Sequence, residues 1–335
     1  MLTKRRIEVF RCIVDEFIQT AEPIGSKTLV EKYHLPYSSA TIRNDMVVLE
    51  NLGFLEKTHT SSGRIPSTKG YQYYCEFLLK KHQPDDSKLE IATIFADKTL
   101  DINEAIRHSC NVISEMTKLA SGLLGPDAKE QHLEYIKLFP IDDKNAVCVF
   151  ITDSGHTENR TFRFDSKVTT NDIEKCCDII NARLKGTSID QVVNKLQSIK
   201  PILAENVIKH ELLFNAFISA FTKFASDKVY FAGKSNMLYH PEFADIEKLK
   251  SIMSLMEETD IWREIGRDND MIVTTSNGSK LFWKDDLAIV TNEFNINESE
   301  TGKLMVVGPS RMDYDKVVNL VDYVSSLIDK IYKGE

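Results

Sequence analysis

The sequence lacks the features that mark membrane and secreted proteins. Its longest apolar runs, at 146–151 and 212–221, fall short of the roughly 18 residues that a membrane-spanning helix needs, and Asn215 interrupts the second run. The basic start of the chain is followed at 7–18 by a stretch that charged residues interrupt, which is unlike a signal peptide. These absences predict a soluble, cytoplasmic protein.

Cysteine pairs and catalytic motifs are equally scarce. The six cysteines include no Cys-x-x-Cys pair and most have apolar neighbours, so we expect buried structural thiols rather than a metal or redox site. His210 and His240 lack a second ligand at metal spacing. The chain contains no Gly-x-Ser-x-Gly, Walker or His-Glu-x-x-His motif. We therefore predict no enzyme activity, no metal and no cofactor.

What the sequence does contain is an uneven distribution of charge. The 335-residue chain has 42 Lys+Arg and 50 Asp+Glu, a formal charge of −8, which argues against a uniformly basic nucleic-acid coat protein. Residues 1–82, the head, hold 12 basic and 9 acidic residues, a net charge of +3. The remaining residues, the body, hold 30 and 41, a net charge of −11. This asymmetry suggests that the head meets a polyanion.

The head has the pattern of a helix-turn-helix. Apolar residues recur at helical spacing from Thr3 to about Thr20, and a second helix follows with Ser26 as its expected N-cap. A third helix, capped by Ser38 or Ser39, runs to about residue 52. Short helices in this order, joined by tight turns, are typical of DNA-binding domains.

A wing follows the third helix. Residues 54–58 and 64–65 predict two short strands around a turn, and Pro66 ends the second. Ser67 then caps a helix that leads to a polar linker at 83–88. The head, 1–82, is therefore predicted to be a winged helix-turn-helix domain.

The start of the third helix carries the candidate DNA-reading residues, because the N-terminal part of a recognition helix meets base edges. The candidates there are Ser39, Ala40, Thr41, Arg43 and Asn44. Arginine suits guanine, asparagine suits adenine, and alanine or threonine can contact the thymine methyl group. In the wing, the expected contacts to the DNA backbone or minor groove are Lys57, His59 and Arg64. The alternative is that all these are ordinary solvated side chains, but the wing and the charge asymmetry favour DNA binding.

The body predicts an α+β domain that a helical segment interrupts. Helical spacing from Asp101 to residue 123 precedes three strands, and helices at 171–185, 188–199 and 203–225 precede further strands and a final helix. We therefore assign 89–165 and 229–335 to one discontinuous α+β domain and 166–228 to an insertion.

Two features of the body are candidate contact sites. One helix of the insertion is crowded with large apolar side chains, among them Phe214, Phe217 and Phe221, and is either a dimer surface or a core helix. Arg311 lies in the turn 308–314, which lacks a phosphate-binding glycine pattern. We expect it to be a structural turn with Arg311 at an inter-domain or subunit contact.

Several stretches of the chain resemble the HrcA family of heat-inducible transcription repressors. The strongest are 39–46 in the third helix, 58–66 in the wing with the following Gly70-Tyr71, and the tail at 307–314. Weaker matches spread the resemblance over nearly the whole chain.

The resemblance implies a winged-helix head, a GAF-like α+β domain and an inserted dimerising domain. It also implies a homodimer that binds double-stranded DNA at an inverted-repeat operator, the CIRCE element, and represses chaperone operons. The resemblance further implies an activity that the GroEL chaperonin supports and that is lost on heating. Neither composition nor spacing establishes these properties.

Two other functions are compatible with a winged head on a body of this length. One is a metabolite-responsive repressor with a small-ligand pocket in the GAF-like domain. The other is a bifunctional enzyme such as a biotin protein ligase, but the glycine- and arginine-rich adenylate loop of that family is missing here.

Overall fold

The computed structural model describes residues 2–58, 63–80, 86–97, 102–125, 131–153, 157–164, 168–225, 229–258, 261–262, 265, 272–295 and 301–333. The chain divides into two compact units. The first comprises Met1–Leu124, Val229–Phe294 and Lys303–Glu335, and the second comprises Gly125–Lys228 and Asn295–Gly302. Within the described ranges, no helix is both long and apolar enough to cross a membrane.

The head forms three helices, a two-stranded wing and a fourth helix. These are α1 (Lys4–Thr20), α2 (Ser26–Tyr33), α3 (Ser39–Asn51), β1 (Leu55–Lys57), β2 (Arg64–Pro66) and α4 (Thr68–Phe77). Side-chain oxygens of Thr3, Ser38 and Ser67 cap α1, α3 and α4. The N-cap of α2 is Gly25 rather than the predicted Ser26, which is the first helical residue.

A six-stranded sheet forms the centre of the rest of the first unit. Its elements are α5 (Asp86–Ala96), α6 (Ile102–Thr117), β3 (Ala120–Leu124), β7 (Tyr230–Ala232), α11 (Ile246–Glu257), β8 (Val273–Thr274), β9 (Lys280–Lys284), β10 (Leu287–Asn295), β11 (Thr301–Pro309) and α12 (Tyr314–Lys333). The strand order is β7-β3-β11-β10-β9-β8. In β11 the consecutive residues 304–307 are all fully buried, which indicates that both faces of the sheet are covered.

The helix predicted to continue to residue 123 ends at Thr117. Lys118 adopts a left-handed φ of 57°, and the Thr117 hydroxyl accepts a hydrogen bond from the backbone N–H of Leu119. Residues 120–124 then pair with β11 on one side and β7 on the other. The apolar residues of β3 happen to continue the helical spacing of α6. Their hydrogen bonds to two neighbouring strands nevertheless make this segment a strand.

The second unit is a three-stranded sheet with helices against one face. Its elements are β4 (Leu133–Pro140), β5 (Asn145–Thr152), β6 (Thr157–Arg163), α7 (Thr170–Leu184), α8 (Ile189–Ser198), α9 (Lys200–Asn206) and α10 (His210–Ala225). The strands are antiparallel in the order β4-β5-β6. The single helix predicted over 203–225 is two helices, because Val207 is extended and the Asp172 carboxylate accepts the backbone N–H of Ile208.

The boundary of the insertion also differs from the prediction. We expected residues 89–165 in the GAF-like domain and the insertion at 166–228, but β4, β5 and β6 belong to the second unit. The reason is packing: inward residues of these strands, such as Ile136 and Phe150, share one core with α7–α10. Alternating strand patterns alone do not say which sheet a strand joins.

The same core explains the phenylalanine-rich helix. Phe217 and Phe221 are fully buried and Phe214 is 6% exposed. The rings of Phe217 and Phe221 pack against Phe150 with centroids 6.5 Å and 4.7 Å away. The interpretation of these three side chains as a dimer contact is therefore wrong, because they form the core of their own unit.

All six cysteines are free thiols. Five are buried and Cys12 is half-buried. Burial raises the pKa of the Cys12 and Cys177 thiols to about 11. No group of three or more metal-binding side chains occurs among the residues that the structure describes.

A buried polar cluster, the joint, connects the head to the final helix α12. The hydroxyl of Tyr74 lies 3.0 Å from the Asp315 carboxylate and 3.1 Å from that of Asp15. The backbone N–H of Lys80 donates to Asp315 at 2.7 Å. Because one hydroxyl hydrogen serves two carboxylates, Asp315 is incompletely compensated, and burial raises its pKa above the ordinary value.

Arg311 belongs to the same joint. Its Nη1 donates to the backbone carbonyl of Ile18 at 3.0 Å, near the end of α1, and its Nε and Nη2 pair with the Glu242 carboxylate. The Arg311 side chain is only 15% exposed. It therefore links the head to two other segments of the first unit.

We predict that Asp315→Asn stabilises the protein at neutral pH. A carboxyl whose pKa is raised by folding contributes stability below the ordinary carboxyl pKa, about 3.9, and that contribution is lost as the pH rises through the raised pKa. The variant should therefore melt about 2 °C higher at pH 7.5 and gain nothing at pH 4, as measured by circular dichroism. Glu247→Gln, at an exposed carboxylate, is the control. Lower stability of Asp315→Asn at pH 7.5 would contradict this account.

Candidate nucleic-acid interface

The recognition helix α3 is fixed at its N-terminus and along one face. The Ser38 hydroxyl accepts the backbone N–H of Thr41 at 3.2 Å and lies 2.9 Å from the Thr41 hydroxyl. Ile42 and Leu49 are fully buried on the inner face, with Met46 beside them. Thr41 is thus occupied in the cap, which leaves it a smaller part in base contact than the sequence suggested.

The opposite face of α3 is a continuous exposed stripe. Ala40, Arg43 and Asn44 are exposed, and Val47 is 40% exposed. Their spacing is i, i+3, i+4 and i+7, which is also the spacing of the base-contacting residues on homeodomain recognition helices. Ser39 is exposed in the first turn, beside this stripe. Four of the residues on or beside this surface, Ser39, Ala40, Arg43 and Asn44, were candidates from sequence, and Val47 was not.

The chemistry of the stripe suits a mixed base sequence. Arg43 can donate two hydrogen bonds to guanine and Asn44 can pair with adenine. Ala40 and Val47 offer apolar contact to thymine methyl groups. Helical spacing from Asn44 could have identified Val47, but an exposed valine gives no signal of its own in a sequence.

The wing residues divide into different roles. Lys57 is exposed at the end of β1, where it can reach a phosphate. The Arg64 side chain is only 13% exposed, and its Nη2 lies 2.7 Å from the Glu50 carboxylate on α3. Arg64 therefore ties the wing to the recognition helix instead of extending to the DNA backbone. His59 lies outside the described residues.

Comparison with known proteins identifies the family. The family model "HrcA protein C terminal domain" matches residues 103–318. The heat-inducible transcription repressor HrcA of Bacillus pumilus (strain SAFR-032) is 38% identical over 330 residues, covering 97% of this chain and 96% of that protein. The HrcA of Listeria welshimeri is 37% identical over 343 residues, covering 99% of both. The chain belongs to the HrcA family.

Members of the HrcA family are transcription repressors and not enzymes, so this chain is a heat-shock transcription repressor. A crystal structure of a hypothetical protein shares the fold, with a TM-score of 0.69 over 100% of this chain and 99% of that one, at 19% identity. The α+β architecture is thus confirmed. The residues that match the HrcA C-terminal domain include the whole second unit and part of the first.

We predict that Val47 reads a thymine methyl group. Replacing each thymine of the bound sequence in turn by deoxyuridine should weaken wild-type binding about fourfold at one position, the value of about 0.8 kcal/mol for one buried methyl. At that position, Val47→Ala should bind the duplex with thymine and the duplex with deoxyuridine equally tightly. Fluorescence anisotropy measures both affinities.

Arg43→Ala is the matched control for Val47. It should keep the methyl sensitivity and instead lose preference at a different base pair, by about 1–3 kcal/mol. If no deoxyuridine substitution distinguishes wild type from Val47→Ala, then Val47 does not face a base.

Proposed function

We propose that this protein is a cytoplasmic homodimer that represses heat-shock chaperone operons by binding the CIRCE inverted repeat. It releases DNA on heating, and the GroEL chaperonin supports its active state. The observation that carries the proposal is the capped recognition helix with Ala40, Arg43, Asn44 and Val47 exposed on one face. Each head takes one half-site in the major groove.

The charge of the head supports the requirement for a dimer. A net charge of +3 on residues 1–82 gives one head few contacts to phosphate, so a single head binds weakly. Two joined heads convert the second contact into an intramolecular step, and the pair binds far more tightly than either head alone. An inverted repeat matches the twofold symmetry of such a dimer.

The second unit offers a surface for the twofold contact. Tyr135 and Phe139 of β4 lie opposite Ile151 and Val147 of β5 on the outward face, away from the helices. Tyr135 is 44% and Phe139 is 47% exposed. The phenylalanines of α10 lie in the core, whereas this outward face is an exposed apolar surface that a second copy could cover. An isologous contact would bring the same strands of both copies together.

The marginal stability of proteins supports release on heating. Only about 5–15 kcal/mol separates the folded from the unfolded state of a typical protein, so a modest rise in temperature can populate a misfolded or dissociated body. A chaperonin that returns such molecules to the folded state would restore repression.

The proposal is tested by titrating the purified protein against a CIRCE duplex and a scrambled duplex between 25 and 50 °C, with and without chaperonin. We expect a strong preference for the inverted repeat at low temperature, loss of binding on heating, and recovery when chaperonin and ATP are supplied. Unchanged operator binding through the heat-shock range without chaperonin would contradict the proposal.

We predict that Phe139→Glu produces a monomer that binds the operator weakly. Burying an unpaired carboxylate between two copies is unfavourable, so association should fail while the exposed position keeps the fold intact. Ile208→Glu is the matched control, because Ile208 is 84% exposed in the same unit. Sedimentation should show a monomer for the first variant and a dimer for the second, and a dimer in both would exclude the outward sheet face as the contact.

The metabolite-responsive alternative rests on one cavity. The first unit contains a cavity of about 270 Å³ near the joint, lined in part by Ile18, His240, Arg311 and Lys316. Its cationic groups are already engaged: Lys316 Nζ donates to the Met116 carbonyl, and Arg311 is held as described above. Because both cationic groups already have partners within the first unit, we favour a structural role for this cavity over ligand binding.

A further inference from the structure

The recognition helix contains a buried carboxylate that two arginines share. Asp45 is 2% exposed, between the exposed Asn44 and the buried Met46. Its carboxylate accepts Arg5 Nε at 2.6 Å, Arg5 Nη2 at 3.2 Å and Arg6 Nε at 3.0 Å. Burial alone raises the pKa of the Asp45 carboxyl, but the hydrogen bonds and charges of the two arginines outweigh it and hold the pKa below its ordinary value.

The two arginines are oriented but not enclosed. The side chain of Arg5 is 40% exposed and that of Arg6 is 30% exposed. A guanidinium carries five N–H donors, and the bonds to Asp45 use only two from Arg5 and one from Arg6. The three groups together carry one net positive charge, so the cluster is more than a neutral structural pair.

The cluster lies beside the end of the recognition helix that enters a groove. The Arg5 guanidinium is 5.5 Å from the centre of the Tyr37 ring, directly before the Ser38 cap. It also reaches Asp45, which lies in the second turn of the same helix. Arg5 therefore runs along the first two turns of α3, on the flank next to the exposed stripe. When a recognition helix lies in the major groove, phosphates of the groove wall lie along its flanks.

We propose that Arg5 and Arg6 form a phosphate-binding site of the head and that Asp45 is the positioning residue that orients them. The inference rests on the proposed function, because it takes duplex DNA as the ligand. A fixed guanidinium loses less side-chain entropy on binding phosphate than a free one does. The cluster also links phosphate binding to base recognition, because Asp45, which holds the two arginines, lies on the helix whose outward face meets the bases.

The first test measures how salt affects binding by Arg5→Gln and Arg6→Gln, each made singly. Losing one phosphate contact lowers the slope of log affinity against log salt by about 0.9, so the fall in affinity between 50 and 200 mM salt should become about 3.5-fold smaller. Lys250→Gln is the matched control, because it removes the same charge from an exposed site on α11. Thermal melting checks that each variant is folded.

The second test removes the carboxylate. Asp45→Asn makes the head one charge more positive, so general electrostatic attraction alone would strengthen DNA binding. The proposal expects at least threefold weaker binding, because the arginines lose the group that orients them. Equal or tighter binding by folded Asp45→Asn would overturn the positioning role, and Arg5→Gln and Arg6→Gln decide the phosphate site if Asp45→Asn does not fold.

The outcomes separate this inference from the proposed function. All duplexes are tested both as the inverted repeat and as a random sequence of equal length. If the wild-type protein shows no preference for the inverted repeat, the proposed function is wrong. The salt slopes of the variants, measured on either duplex, still show whether Arg5 and Arg6 bind phosphate. Slopes of Arg5→Gln and Arg6→Gln equal to that of Lys250→Gln overturn the inference even if operator preference is intact.

Discussion

The joint between the head and the final helix sets how the DNA-reading surface is presented. Asp315 accepts hydrogen bonds from Lys80 and lies within reach of Tyr74, while Arg311 bonds to the last turn of α1. These contacts are largely buried, so a backbone N–H or carbonyl that lost its partner there would stay buried without a hydrogen bond. The head is therefore coupled to the rest of the first unit.

Charge is used in three separate ways in the head. Asp45 holds Arg5 and Arg6 beside the recognition helix, and Glu50 holds Arg64 against it. Arg43 stays exposed on the outer face of the same helix. The net charge of +3 therefore includes basic side chains of two kinds. Some pair with carboxylates on the recognition helix, and others extend into solvent. The acidic body, at −11, adds little attraction to DNA and leaves affinity to the heads.

Local sequence patterns predicted the elements of the head well. Caps such as Ser38, the apolar spacing of α3 and the position of the wing all follow from near neighbours in the chain. Contacts between distant residues were not predictable in this way. The partners of Arg64 and Asp45 lie 14 and 39–40 residues away, and no alternation shows that β4–β6 pack with α7–α10. Apolar spacing likewise cannot tell a core helix from a dimer helix, so both interpretations of Phe217 stayed open until its burial was known.

The most direct test of the central proposal, that two copies read the two halves of an inverted repeat, is the affinity of the protein for inverted repeats with different spacers. Adding about five base pairs turns one half-site to the opposite side of the duplex. We predict that affinity then falls to nearly that of a single half-site, because the half-sites then face opposite sides of the duplex and two joined copies no longer reach both. Equal affinity for all spacer lengths would contradict the account.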